Sequence, residues 1–182
     1  MEYNKLLMLI TAIFSLIILS ICIAILIKKK YNLLTENIVT YIFYLTFLFT
    51  QYKLKIQVSP FIIMLTLITI IGNNLIGDYL NFYKSSKHFD RFLHAFGSFS
   101  FSLFYYSILD KAAIHITSPK YYVAIFIATI GISSGCIYEI FEFILDSMTN
   151  SKNQHGLTDT NFDLISDVIG AITAGIAYIS IF

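Results

Sequence analysis

Apolar residues along this chain gather into runs of membrane-spanning length, separated by short polar stretches. The first, Leu6 to Ile27, holds 22 residues without a charge and stops at Lys28, Lys29 and Lys30. A secretory signal is the rival reading of this run, but it is long for a signal's apolar region and no A-x-A-like cleavage site follows. The second, about Asn37 to Phe49, reaches span length, to residue 52, only when Tyr41, Tyr44 and Tyr52 count as interfacial anchors. Further runs cover Ser59–Gly77, Phe92–Leu109, Tyr121–Leu145 and Phe162–Phe182. Pro60 and Pro119 stand at span entrances, where a missing N–H costs nothing. The pattern predicts an all-α polytopic bundle of about six transmembrane helices, a single integral membrane domain over 1–182 with spans near 6–27, 37–52, 59–77, 92–109, 121–145 and 162–182.

Composition agrees. Of 182 residues 57% are apolar and 13% charged, against about a quarter charged in soluble domains, and the mean hydropathy is +0.75. A disordered chain, a disulfide scaffold and a nucleic-acid binder are all excluded, for want of polarity, cysteines and a basic surface respectively. The expected partner is the lipid bilayer, with no nucleic acid and an open oligomeric state. With the N-terminus outside, Lys28, Lys29, Lys30, Lys84, Lys87, Arg91 and Lys152 fall inside, and Lys5, Lys53, Lys55, Lys111 and Lys120 outside. The positive-inside rule therefore favours both termini outside, on the weight of the Lys28–Lys30 cluster.

The carboxylates change the picture. Glu2, Glu36 and Asp110 are scattered, but Asp78, Asp90, Glu139, Glu142, Asp146, Asp159, Asp163 and Asp167 all fall at one membrane face. They mark the end of span three, the start of four, the end of five and the start of six. Only Lys84, Lys87, Arg91 and Lys152 oppose them. Carboxylates left unpaired near hydrocarbon cost several kcal/mol each, so protons, Arg91 or a bound cation must neutralise them.

At 100° per residue, Gly131, Gly135, Glu139, Glu142 and Asp146 share one face of span five. Asp159, Asp163, Asp167, Gly170 and Ala174 repeat those offsets on span six, and Asp90, His94 and Gly97 share a face of span four. Small residues four apart let membrane helices approach closely, which would aim His94, Glu139, Glu142, Asp163 and Asp167 at one another. These five are the expected ligands of a divalent metal, with Asp90, Arg91, Asp159 and Asn74 supporting them. One imidazole among carboxylates suits zinc, manganese, iron or magnesium.

Plainer roles compete. Asp159 stands where a helix N-terminus takes a cap, and Asp146 where a side chain faces the aqueous loop. Glu142 sits at a helix C-terminus, where the dipole disfavours an acid. Arg91 offers a counter-charge, and Asn73 and Asn74 offer interhelical hydrogen bonds. His88, His115 and His155 have no partner pattern. Cys22 and Cys136 lie in different spans and suggest neither a thiolate site nor a disulfide. Ser133, Ser134 and Gly135 read as a packing patch rather than a serine nucleophile.

The strings KHFDRFLHAFGSF (87–99), SGCIYEIFEF (134–143) and GLTDTNFDLISDVIGA (156–171) resemble the hallmark segments of the YjdF-like family, small bacterial membrane proteins of unknown function. The resemblance covers about residues 70–182 and rests on Asp90, Arg91 and His94, then Tyr138, Glu139 and Glu142, then Asp159, Asp163, Asp167 and Gly170. Phe162 and Phe143 stand where that family usually has tryptophan. A weaker likeness is to VanZ-like proteins, linked to glycopeptide tolerance, in which amides stand at the places of Glu142 and Asp167. The resemblance implies a multi-pass protein of the bacterial cell membrane. It supplies no reaction, so three functions stay open. One is a metal site hydrolysing a lipid or polyprenyl phosphate. The others are a small ion- or proton-coupled transporter and a non-catalytic envelope or antibiotic-tolerance factor.

Overall fold

The computed structural model describes residues 3–112, 119–149, 154 and 156–181; Lys152, His115 and His155 lie outside the described residues. Helix α1 (Tyr3–Ile27) is followed by α2 (Tyr31–Leu54) and α3 (Pro60–Ile71), and α3 runs directly into a π-helical segment, Gly72–Tyr79. A single turn, α4 (Phe82–Ser85), leads to α5 (Lys87–Ala112), α6 (Lys120–Met148) and α7 (Leu157–Ile181). No strand occurs among the described residues. Six helices are long and apolar enough to cross a membrane: α1, α2, α3 with its π segment, α5, α6 and α7. In hydrocarbon the backbone must satisfy its own hydrogen bonds, and helices do so within one segment.

Three helices begin five or six residues before their apolar runs. α2 opens at Tyr31, six residues before Asn37, and within it polar Asn37 and Gln51 each find a partner. The Asn37 amide donates to the Leu33 carbonyl at 2.8 Å, and Gln51 Oε1 accepts the Val58 N–H at 3.2 Å. α5 opens at Lys87 and α7 at Leu157, so Asp90 and Asp159 both lie in first turns, where the helix dipole favours an acid.

The first three helices bury large side chains. Ile10, Phe14, Ile18, Ile21 and Ile25 form a stripe down α1 at three- and four-residue spacing, packed with Tyr44, Ile63 and Leu67. Phe14 meets Tyr44 edge-on at 5.0 Å between ring centroids. The last three helices meet mainly through small ones, with Tyr106, Val123 and Ile127 buried toward the far end. A Cβ on Gly131 would strike Ser102 and Ala171, and one on Gly170 or Gly175 would strike the backbone carbonyl of Ala95 or Ala124. Helix backbones here touch almost directly. Between helices in lipid there is little hydrophobic drive, so this close van der Waals fit supplies the adhesion. Hydroxyls on these helices are satisfied internally, as where Ser100, Ser107 and Ser166 donate to carbonyls four residues back.

α3 packs on α5, joining the halves: Gly72 faces Leu93, and Gly97 faces Thr69. Lys28 and Lys30 lie over the Tyr79 ring, 4.5 and 5.5 Å from its centroid, and Lys30 Nζ donates to the Tyr79 carbonyl at 3.2 Å. The lysine end of α1 thus sits beside the π segment and the acidic end of the bundle. At the opposite end Tyr106 and Tyr178 meet through their hydroxyls at 3.2 Å.

Candidate functional site

His94 projects from the second turn of α5 to the seam of α6 and α7 at Glu139 and Asp167. Gly135 makes that approach possible, because a Cβ there would occupy the space of the Asp167 carboxylate. Both Asp167 oxygens lie 3.3 Å from His94 Nδ1, and Ser98 Oγ donates to Asp167 Oδ1 at 3.0 Å. The other ring nitrogen faces different acids: Nε2 is 3.7 Å from Asp90 Oδ1 and 3.7 Å from Glu139 Oε1. Asp90, His94 and Asp163 each offer a donor atom, and the three lie within 4.8 Å of one another. Glu139, Asp163 and Asp167 are only 4%, 4% and 3% exposed.

Hydrogen bonding leaves two of these oxygens over. Glu139 Oε1 and Asp163 Oδ1 are buried without a hydrogen-bond partner, a costly condition for a carboxylate. Arg91 does not relieve it. Its guanidinium lies over the Phe162 ring at 4.1 Å, and the ion pairs seen among the described residues all involve His94. Among the described residues no carboxylate pairs directly with Arg91, whose side chain goes to an aromatic face.

The remaining expected residues fall around this centre. Glu142 is half-buried at the rim, within electrostatic range of Glu139, His94 and Asp90. Asp146 accepts the Gln154 N–H at 2.9 Å. Asp159 is half-buried in the first turn of α7. Asn74 belongs to an amide ladder: it donates to Asn37 Oδ1 at 3.2 Å and accepts from Asn73 at 3.0 Å, and Tyr83 donates to Asn73 Oδ1. Burial holds the Tyr83 phenol well above its ordinary pKa, which keeps it a proton donor. Glu36, scattered in the sequence reading, comes within electrostatic range of Asp78 at this same end.

Two contributors escaped the sequence reading. Ser98 stands four residues after His94, so helical periodicity could have placed it on the same face. Gln154 donates to the Glu139 carbonyl at 3.2 Å and to its Oε2 at 3.5 Å. It is a loop residue, and no spacing rule reaches it. Tyr138, a member of the quoted YE-x-x-E stretch, places its ring edge-on to His94 at 5.8 Å.

Asp167 is the point of largest difference from expectation. Sequence spacing groups it with the ligands and leaves Asp90 outside. In the folded chain Asp167 lies on the Nδ1 side of the imidazole, whereas Asp90 and Glu139 share the Nε2 side. Metal-binding histidines commonly donate their second N–H to a carboxylate, which sets the tautomer and the ring orientation. The arrangement can therefore present a fixed Nε2 lone pair to a cation ringed by acids.

No solved structure matches this chain. A protein of Thermotoga maritima described as uncharacterized is 36% identical over 107 residues, covering 58% of this chain and 55% of the relative. The chain thus spans about half the length of the curated relative it matches. A family model described as predicted membrane protein (DUF2238) matches residues 7–182, nearly the whole sequence, and the chain belongs to that family.

Proposed function

We propose that this protein holds a divalent cation at the acidic end of its bundle and uses it to hydrolyse a lipid or polyprenyl phosphate in the bacterial cell membrane. The observation that carries the reading is the convergence of Asp90, His94 and Asp163, with donor atoms within 4.8 Å of one another. Donors bound at about 2.1 Å around a tetrahedral ion stand about 3.4 Å apart. The 3.7 Å separations of Asp90 and Glu139 from His94 Nε2 need only a small contraction to match. Glu139 Oε1 and Asp163 Oδ1, buried without partners, would gain one. Asp167, steadied by Ser98, is the positioning residue that keeps Nε2 available.

The donor set of one imidazole and hard oxygens fits zinc, manganese, iron or magnesium. Such an ion supplies Lewis acidity and lowers the pKa of a water molecule bound to it. Glu142, at the rim beside Glu139, is the carboxylate left to accept that water's proton. Glu142 would then return that proton to the departing alkoxide, so that hydrolysis of the ester P–O bond balances as inorganic phosphate and a lipid alcohol. Transport is the weaker reading, because below Asp167 the helices close on Gly131, Ala171, Ala174 and Ile127, and the buried Ser100, Ser102 and Ser107 there donate their hydroxyls to carbonyls of their own helix, with no buried carboxylate or imidazole among the described residues at that depth.

Elemental analysis of the purified full chain tests the proposal. Stoichiometric divalent metal is expected, lost in His94→Ala and Asp163→Ala but kept in Asp146→Ala. Metal-free protein that melts identically with and without chelator removes the proposal.

A further inference from the structure

α3 and α6 both pack on α5 without packing substantially on each other, and the space between them is a cavity of about 260 Å³. Its floor is one face of α5: Leu93, His94, Gly97, Phe101 and Tyr105. His94 and Tyr105 are eleven residues apart, so the floor runs about 16 Å along the helix axis at 1.5 Å per residue. That is about half of a ~30 Å hydrocarbon core, the depth of one leaflet. The two ends differ in chemistry. At the acidic end the lining is His94, Asp167, Asn73, Asn74, Tyr83 and Tyr138; toward the middle it is Ile70, Phe101 and Tyr105. Tyr105 and Tyr138 are exposed on the outside of the bundle, so the cavity is a groove that opens sideways, where a surrounding bilayer would lie.

We infer that this groove admits one chain of a phosphate-monoester lipid directly from the bilayer, placing its headgroup between the amide ladder and His94. The occupant follows from the lining: at one end His94, the one proposed cation ligand on the groove wall, with Tyr83 and Tyr138, which lie within electrostatic range of Asp90 and Glu142; at the other Ile70, Phe101 and the Tyr105 ring. Gly97 contributes by having no side chain to fill the floor. The headgroup charge in this inference rests on the cation reading, since the bare acids would repel a phosphate; the groove itself does not.

The test uses the full chain in phosphatidylcholine vesicles carrying phosphatidic acid with a diazirine at mid-chain, and maps photolabelled residues by peptide mass spectrometry. Leu93 and Gly97 are buried, so lipid on the outside of the bundle cannot label them. Labelling across 93–101 is expected, with loss in Ser134→Phe and in Thr40→Phe, since Ser134 on α6 and Thr40 on α2 also line the groove. Both variants should keep their metal content and melting temperature. Label confined to outward faces such as Leu16 and Phe43, or unchanged in both plugged variants, would overturn the groove even if metal is present. Groove labelling that persists in chelator and still disappears on plugging supports the groove while withdrawing support from the cation reading.

Discussion

Phe14, Ile18, Ile21 and Ile25 fill the space between the first helices with side chains, whereas α5, α6 and α7 meet through glycine, alanine and serine with backbone against backbone. The difference decides where chemistry can be built. Large side chains keep helix axes apart and surround any polar group with hydrocarbon. Small ones let three helices converge, so that short acidic side chains from different helices reach a single imidazole. The same convergence leaves no slack, and the two halves should respond very differently to change.

The largest contrast should come from adding atoms. Gly170→Val forces a side chain into the Ala95 carbonyl, where no rotamer can yield, and should cost about 3 kcal/mol or more as overpacking against backbone. Ile25→Val, at a fully buried site of α1, should cost about 1 kcal/mol. Thermal melts of both variants in one detergent check the difference; equal losses would erase the distinction between the halves. Next comes the cation. At free metal a hundredfold above its Kd, removal by chelator should lower stability by about 2.7 kcal/mol. Hydrogen exchange should place that loss in α5, α6 and α7, leaving α1 protected as before.

A finer test separates ligand from positioning residue. Asp167→Asn keeps an acceptor for the imidazole N–H and should weaken metal affinity by about 10- to 100-fold, whereas Asp163→Ala should abolish binding. Titration of metal into the stripped variants reads this directly, and an Asp167→Asn protein with no binding at all would make Asp167 a ligand. The smallest effect lies within the first half, where α2 meets the π segment. A double-mutant cycle on Asn37 and Asn74 should give a coupling of about 0.6 kcal/mol, the usual value for a hydrogen bond between membrane helices. Coupling near 2 kcal/mol would mean that the amide ladder, rather than side-chain packing, holds α2 against that segment.

Much of this was legible in the sequence. Unbroken apolar runs announce spans because hydrocarbon leaves the backbone no other choice, and the glycines and acids of α6 and α7 declare a common face through simple periodicity. The length of α2 was less visible: its opening residues, Tyr31 to Glu36, include polar Asn32, Thr35 and Glu36 and so fall outside any apolar run. The π segment was invisible, since nothing in GNNLIGDY separates it from an α-helical turn. The side of the imidazole that each acid takes was also hidden, because it depends on how three helices rotate against one another. Helical spacing can therefore gather Asp90, Glu139 and Asp167 around His94 without sorting Asp167 from the other two.

Gly135 facing Asp167 and Gly131 facing Ala171 also define a vernier between two antiparallel rods. Both rods carry marks at four-residue intervals: Gly131 and Gly135 on one, Asp159, Asp163 and Asp167 on the other. A slide of α7 by one interval, about 6 Å, would seat Asp163 in the notch of Gly135 and carry Asp167 down to Gly131. The notches of α6 would accept the displaced setting; depth and α5 would not, because it moves a carboxylate further from the membrane face and brings Ser166 to the place of Gly170 against the Ala95 carbonyl. The sliding scale is thus calibrated twice, by the bilayer, which assigns each acid its height, and by a third rod that admits only the mark without a side chain.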